Sequence, residues 1–339
     1  MTHHARGPTQ CLPFLAGDAA HGPSFERTHF LMTDRERPPS PLAAFNGEML
    51  TGPKWFVRAQ EAACETGEAE RLGTRLSWKA WGERGAPGLI LVHGGTAHKG
   101  WWDAIGPFLA SEGYRVVATD LAGMGDSGWR DVYSMNDHAA DVLAAAEHGG
   151  AFEAGKPVLA GHSFGGFVTL SAAISIGERL RAGIILDSPI RPQTEQRGDP
   201  PPRRGGRVYD DTTTALARFR LLPDQPCEHL WLLDHIARGS LKEAEGGVTW
   251  KFDPDLWAKL TWERRDPETA AANLKCPLAF VRGAQSRLMQ AETWDYMRSA
   301  FTQSPFISVP DAKHHLILDQ PLAVASVLQA LCEGWAKQA

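Results

Sequence analysis

The sequence predicts an α/β protein: a mostly parallel, doubly wound sheet with an inserted helical segment. Three observations point there. Short apolar runs alternate with helix-length segments along most of the chain. A glycine-flanked serine, Gly161-His162-Ser163-Phe164-Gly165, stands between one such run and one such segment. The alternation then fails between Ile190 and Ala272, a stretch far too long for one crossover connection.

Residues 1–50 carry scattered Pro, Gly, His and Arg with no sustained period. They are expected to form a poorly ordered extension or a loosely docked arm. His3-His4 in such a tail gives no reason to expect a metal. Glu68 to Trp81 reads as an antiparallel pair turned at Gly73. Four buried runs follow, Gly88–His93, Arg115–Asp120, Pro157–His162 and Gly183–Asp187, and two more later, Pro277–Arg282 and Phe306–Val309. Runs apolar on both faces are the mark of parallel strands covered by helices on each side. The intervening segments Trp102–Ser111, Ser134–His148, Phe164–Gly177 and Pro321–Lys337 read as helices. Ser134 with Asp137 three residues on is a variant of the capping box. Strand alternating with helix gives the doubly wound sheet, with the core assigned to residues 51–189 and 273–339. Residues 190–272 open with a Pro- and Arg-rich linker, Arg191 to Arg207, then turn helical and aromatic with Trp231, Trp250, Trp257 and Trp262. They are expected to form a helical lid over the carboxyl end of the sheet.

Composition narrows the function classes. With 339 residues, 43% hydrophobic and 22% charged, the chain reads as a soluble globular protein able to bury a large core. A formal net charge of −5 gives no reason to expect nucleic acid or an anionic membrane as partner. No apolar run approaches the roughly 18 residues that span a bilayer. The expected partner is a small-molecule substrate, and a homo-oligomer is left open. Five cysteines (Cys11, Cys64, Cys227, Cys276 and Cys332) are dispersed, odd in number and without a C-x-x-C pair. That is the usage of reduced thiols in a cytoplasmic protein. The N-terminus lacks the pattern of a signal peptide. No cofactor and no metal are expected.

The serine motif carries the chemistry. A strand directly before Ser163 and a helix directly after it give G-x-S-x-G its physical meaning: a sharp, strained turn that lifts the hydroxyl into the crevice above the sheet. Small flanking residues let strand and helix pass close together, and Gly166 extends that clearance. The helix N-terminus favours developing negative charge. A phosphate loop is the alternative for such a turn, but no Lys-Ser/Thr pair follows.

Three further segments join it: His93-Gly94-Gly95-Thr96 after a strand, Asp120-Leu-Ala-Gly-Met-Gly-Asp-Ser127 after the next, and Ala312-Lys-His314-His315-Leu-Ile-Leu-Asp-Gln-Pro321. Together they make residues 68–337 resemble the α/β-hydrolase superfamily, in its serine-nucleophile, lid-containing branch, with the insertion unmatched in detail. The resemblance implies the α/β-hydrolase fold and a set of roles. The oxyanion donors would be the backbone N–H groups of Gly95 and Phe164. The general base would be His314, which has the family's seven-residue spacing to Pro321; its neighbour His315 is the alternative. Lys313 stands where the family usually has glycine. The acid usually follows the strand that here ends at Arg282, yet Gly283-Ala-Gln-Ser286 puts a serine at that position. Some members place the acid one strand earlier, which here is Asp187. A structural aspartate capping the linker, or Asp311 on the histidine loop, are the alternatives, while Glu292 and Asp295 are expected on the following helix.

The function expected from these residues is a serine hydrolase that cleaves a small, apolar carboxylic ester or lactone. Ser163, His314 and Asp187 would form its triad, and Trp250 and Trp257 of the lid would line its pocket. A serine nucleophile excludes the alkyl-enzyme route of epoxide hydrolases and haloalkane dehalogenases on this fold, which needs a carboxylate. A carbon–carbon bond hydrolase of ring-cleavage diketones, using the same triad, and a non-catalytic ligand receptor on the same fold are the alternatives.

Overall fold

The structure, a computed structural model, describes residue 1 and residues 40–192, 206–261 and 266–337. The chain divides into two units, Met1–Pro38 and Pro39–Ala339, and the second carries every element described here. Its centre is an eight-stranded sheet: β1 Glu65–Arg71, β2 Thr74–Trp81, β3 Gly88–Val92, β4 Arg115–Thr119, β5 Val158–His162, β6 Ala182–Leu186, β7 Leu278–Gly283 and β8 Phe306–Val309. The spatial order is β1-β2-β4-β3-β5-β6-β7-β8. β2 runs antiparallel to β1 and β4, and every other pairing is parallel. Leu72 and Gly73 join β1 to β2 with φ of 51° and 68°. Two left-handed central residues suit a hairpin because their twist matches that of the strands.

Each parallel strand sends alternate residues to opposite cores. Ile90, Val92, Val117, Leu159, Ile185 and Phe280 join one apolar cluster. Leu89, Leu91, Val116, Ala160, Ile184 and Val281 join the other. Both clusters are closed to water, which is why the strands read as unbroken apolar runs. The main helices are α1 Met135–His148, α2 Phe164–Ser175, α3 Leu230–Gly239 and α4 Pro321–Ala336. α1 and α2 bury Val142, Leu143, Val168 and Ala172 in the first cluster. α4 buries Val324 and Leu328 in the second. Ser134 caps α1: its Oγ accepts from Asp137 N–H at 3.0 Å and donates to the Asp137 carboxylate at 2.7 Å.

Three expectations need correction. Residues 40–50 do not belong to a loose extension. Ser40 caps a short 3-10 turn, Pro41–Phe45, Leu42 is buried in the core, and Leu50 N–H donates to the buried Asp234 carboxylate. The expected helix Trp102–Ser111 is split into a 3-10 turn, Lys99–Trp102, and a short helix, Gly106–Ser111. The described part of the insertion is not purely helical. Between α3 and the turn Leu256–Lys259 it folds a hairpin, Leu241–Ala244 with Gly247–Trp250. Gly246 turns it at φ 82°. Trp262, most of the Arg191–Arg207 linker, His3-His4 and Cys11 lie outside the described residues. Cys64, Cys227, Cys276 and Cys332 are free thiols. Among the described residues, no helix is long and apolar enough to cross a membrane.

Candidate active site

Ser163 closes β5 and opens α2 with φ 53° and ψ −115°. A left-handed φ is uncommon for any residue but glycine and carries about 1–3 kcal/mol of strain. The surrounding glycines make the turn possible. A Cβ on Gly161 would collide with the carbonyl oxygen of Gly165, one on Gly165 would lie 2.5 Å from the carbonyl oxygen of His93, and one on Gly166 would collide with Ser188 Oγ. Hydrogen bonds then hold the turn. Ser163 N–H donates to Leu186 O at 2.9 Å, and Ser188 Oγ–H donates to Ser163 O at 2.7 Å.

His314 Nε2 stands 3.1 Å from Ser163 Oγ, and its Nδ1 stands 2.7 Å from Asp187 Oδ2. An ionised carboxylate only accepts, so Nδ1 carries the proton and Nε2 keeps the lone pair that faces the serine. His314 and Asp187 are both buried. Asp187 sits just past β6 at φ 52°, a conformation aspartate tolerates better than most residues. Its other oxygen, Oδ1, accepts from Gly283 N–H at 3.0 Å. Ser286 Oγ–H donates to Oδ2 at 2.6 Å. Ser286, at the position where the resemblance implies the acid, therefore holds the Asp187 carboxylate.

The alternatives stand elsewhere. His315 turns towards the insertion, with Nε2–H donating to Pro223 O at 3.1 Å and N–H to Gln225 Oε1 at 3.0 Å. Asp311 accepts from Gln285 at 3.2 Å on an exposed loop. Glu292 and Asp295 lie on the helix Ala291–Ala300. The histidine loop approaches β7 closely at Gly283, where a Cβ would collide with Lys313 O. Lys313 N–H in turn donates to Asp319 Oδ2 at 2.7 Å.

The loop after β3 reaches the serine. A Cβ on Gly94 would lie 3.3 Å from Ser163 Cβ, and one on Gly95 would lie 3.6 Å from Phe164 Cβ. No acceptor among the described residues takes the Gly95 N–H. His93 fixes the loop: its Nδ1–H donates to Gly94 O at 2.7 Å, and its Nε2 accepts from Leu121 N–H at 3.2 Å. The Asp120–Ser127 turn braces it from below. Asp120 accepts from both the N–H and the Nζ of Lys99 at 2.6 Å and from Asp126 N–H at 2.8 Å.

The two tryptophans part company. Trp257 packs edge-on against Phe164 with centroids 5.4 Å apart, and its ring would meet a Cβ on Gly95 at 2.8 Å. Trp250 instead packs against Tyr209 and Phe219 within the insertion, and its Nε1–H reaches Tyr209 Oη at 3.3 Å. Trp250 thus packs on the hairpin of the insertion, an element not expected from the sequence.

Several supporting groups escaped the sequence reading. Ser188, next to Asp187, ties down the serine turn. His162 donates from Nε2 to His314 O at 2.9 Å. Gln225 of the insertion grips the histidine loop through His315 N–H and the Asp319 carboxylate. The residue types gave some signal, since Ser188 and His162 each adjoin a candidate catalytic residue, but their partners are distant in sequence.

Burial around the site has a consequence for stability. It pushes His93 down to about 4, and His138 and His162 down to about 3. The folded state keeps these rings neutral, while the unfolded chain protonates them below its ordinary histidine value of about 6.5. Unfolding thus takes up protons, and stability falls as pH drops from about 6.5 towards 4. Each such ring contributes up to about 1.4 kcal/mol per pH unit in that window. Urea unfolding at several pH values checks this. His138→Phe, which replaces a ring stacked on Tyr133, is expected to flatten the slope, and an unchanged slope would contradict the account.

A family model described as the alpha/beta hydrolase family matches residues 89–327. The chain is 33% identical over 153 residues to a bifunctional esterase/perhydrolase of Acinetobacter calcoaceticus, 44% of this chain and 53% of that relative. It is 25% identical over 285 residues to a 3-hydroxybutyrate-oligomer hydrolase of Cupriavidus necator, 74% of this chain and 90% of the relative. In structure it resembles the thioesterase domain from the curacin biosynthetic pathway with a TM-score of 0.65 at 22% identity, covering 79% of this chain and all but 1% of that one; this is a likeness of fold. The match to the esterase/perhydrolase spans about half of that relative's length.

Proposed function

The chain belongs to the alpha/beta hydrolase family, and from that premise we propose that it is a serine hydrolase of small, apolar carboxylic esters or lactones. One observation carries the reading: a hydrogen-bonded relay, Ser163 to His314 to Asp187 at 3.1 Å and 2.7 Å, on a left-handed turn at a helix N-terminus. Ser163 Oγ attacks the acyl carbon while its proton passes to His314 Nε2. The carbonyl electrons move to the oxygen, which the N–H groups of Gly95 and Phe164 receive. Collapse of that intermediate expels the alcohol, which takes the proton from His314. Water then enters, gives its proton to Nε2 and attacks the acyl-enzyme, and Ser163 leaves with that proton. Asp187 keeps the proton on Nδ1 throughout and stabilises the imidazolium.

The apolar substrate class is supported by Trp257, whose ring covers the Gly95–Phe164 edge of the site, and the insertion that carries it acts in this reading as a lid. Pockets of this kind are mostly apolar with few polar anchors. Trp257→Ala is expected to raise KM for long-chain or aromatic acyl esters by about tenfold, the worth of a lost apolar contact, with acetate esters little changed. Trp250→Ala is expected instead to lower the melting temperature with no shift in preference. Equal loss on every substrate in Trp257→Ala would remove it from the pocket. The test of the function is a side-by-side assay of p-nitrophenyl esters, lactones and a dienoate diketone with product analysis. Turnover of esters or lactones with an acyl-enzyme burst is the expected result. Turnover of the diketone alone, or binding without products, would refute it.

A further inference from the structure

We propose that His162, His314 and His315 form a latent site for a borderline transition-metal ion such as Zn²⁺, and that the ion switches off the nucleophile. The switching-off rests on the serine-hydrolase reading; the binding does not. The three rings are buried together, with centroids 4.9 Å apart for His162–His314, 4.8 Å for His314–His315 and 5.8 Å for His162–His315. One nitrogen of each lies within 4.8 Å of one nitrogen of each of the others.

The hydrogen bonds decide which nitrogens are open. His162 Nε2 faces His314 O, His315 Nε2 faces Pro223 O, and His314 Nδ1 faces the Asp187 carboxylate. These oxygens only accept, so those nitrogens carry the protons. The lone pairs therefore sit on His162 Nδ1, His315 Nδ1 and His314 Nε2. An imidazole whose second nitrogen donates to a carbonyl or carboxylate is the form in which histidine ligates metals. His162 Nδ1 and His315 Nδ1 are buried, with no hydrogen-bond partner among the described residues. Buried acceptors are seldom left empty.

The ligand set selects the ion. Imidazole nitrogens suit Zn²⁺, Co²⁺ and Cu²⁺, whereas Mg²⁺ and Ca²⁺ require oxygen. Tetrahedral Zn–N bonds of about 2.0–2.1 Å would place the nitrogens roughly 3.4 Å apart, inside the 4.8 Å bound on their separation here, so binding draws the rings together. Ser163 Oγ or a water takes the fourth position. The ion and the Ser163 proton then compete for the one lone pair on His314 Nε2.

Chelator-treated full-length protein is titrated with Co²⁺ under visible absorption and with Zn²⁺ under calorimetry. One ion per chain and a tetrahedral Co²⁺ band are expected, with ester turnover lost in step with occupancy and restored by chelator. His162→Gln and His315→Gln retain a donor for the two carbonyls but remove the imidazole. Each is expected to weaken affinity at least about tenfold, with inhibition, relative to its own metal-free rate, shifting in step. X-ray absorption of the wild-type zinc form supplies a measurement independent of variant folding, and three imidazole ligands are expected. Binding undiminished in both variants, as for an ion held by His3 and His4, would overturn the proposal, as would fewer than two imidazole ligands. A Co²⁺ band in a protein without hydrolase activity would leave the site standing and fail only the function.

Discussion

Ser163→Ala is expected to lower kcat by about 10⁴ or more on any ester substrate while the protein stays folded. The size follows from the relay. In the proposed mechanism Ser163 Oγ forms the new bond, and among the described residues it is the hydroxyl hydrogen-bonded to His314 Nε2. The backbone is strained at φ 53° in either variant, because alanine keeps the Cβ that causes the strain. The tethers from Leu186 O and Ser188 Oγ use only the Ser163 backbone, so the turn survives. The Gly95 and Phe164 N–H groups proposed as oxyanion donors are unaffected by the change, and residual catalysis of about 10³–10⁴ over water is expected from them and from binding. Pure variant protein with near-wild-type turnover would remove Ser163 from the chemistry.

Asp187→Asn is expected to cost about 10²–10⁴ in kcat with little change in KM. The surroundings dictate which way the amide turns. Gly283 N–H donates to the Oδ1 position, and a backbone N–H cannot reverse its role, so the amide oxygen settles there. The NH₂ then occupies the Oδ2 position and donates to His314 Nδ1. That moves the ring proton to Nε2, where it faces Ser163 and cannot be replaced by the serine proton. Ser286 Oγ lies 2.6 Å from Oδ2, so Ser286→Asp in the Asp187→Asn background is expected to restore part of the loss. In the wild-type background the same change sets two carboxylates in contact and is expected to lower activity. Asp311→Asn, whose carboxylate accepts from Gln285 on an exposed loop, should cost far less. An active Asp187→Asn beside an inactive Asp311→Asn would move the acid to the histidine loop.

The sheet was legible because its burial is symmetrical. Strands such as Gly88–Val92 carry apolar residues to two cores at once, and few other settings need that pattern. The serine turn was legible because each glycine in it is sterically required. Asp187 was a candidate because the α/β-hydrolase resemblance allows the acid one strand earlier, and adjacent parallel strands end on one face, so β6 and β7 can offer a carboxylate to the same imidazole. The Ser286 tether was not legible: it depends on a contact made only when β6 and β7 pair. The hairpin in the insertion is hidden in a polar stretch, Lys242 to Glu245, with no sustained apolar alternation to mark strands on either side of Gly246. For Trp250 and Trp257 the sequence carries one signal for two roles, since an apolar ring packs a core or lines a pocket with the same residue. Residues 40–50 look like the tail before them, and what fastens them is distant in sequence: the burial of Leu42, the Leu50 N–H on Asp234, and Arg238 donating to Gly47 O and Glu48 O.

The proposed relay requires an activated hydroxyl at Ser163, and reaction with a fluorophosphonate tests that most directly. Intact mass followed by peptide mapping is expected to show one phosphonyl group per chain, on the peptide containing Ser163. Labelling should be absent in Ser163→Ala and strongly slowed in Asp187→Asn. No adduct on folded wild-type protein, or an adduct that persists in Ser163→Ala, would contradict it.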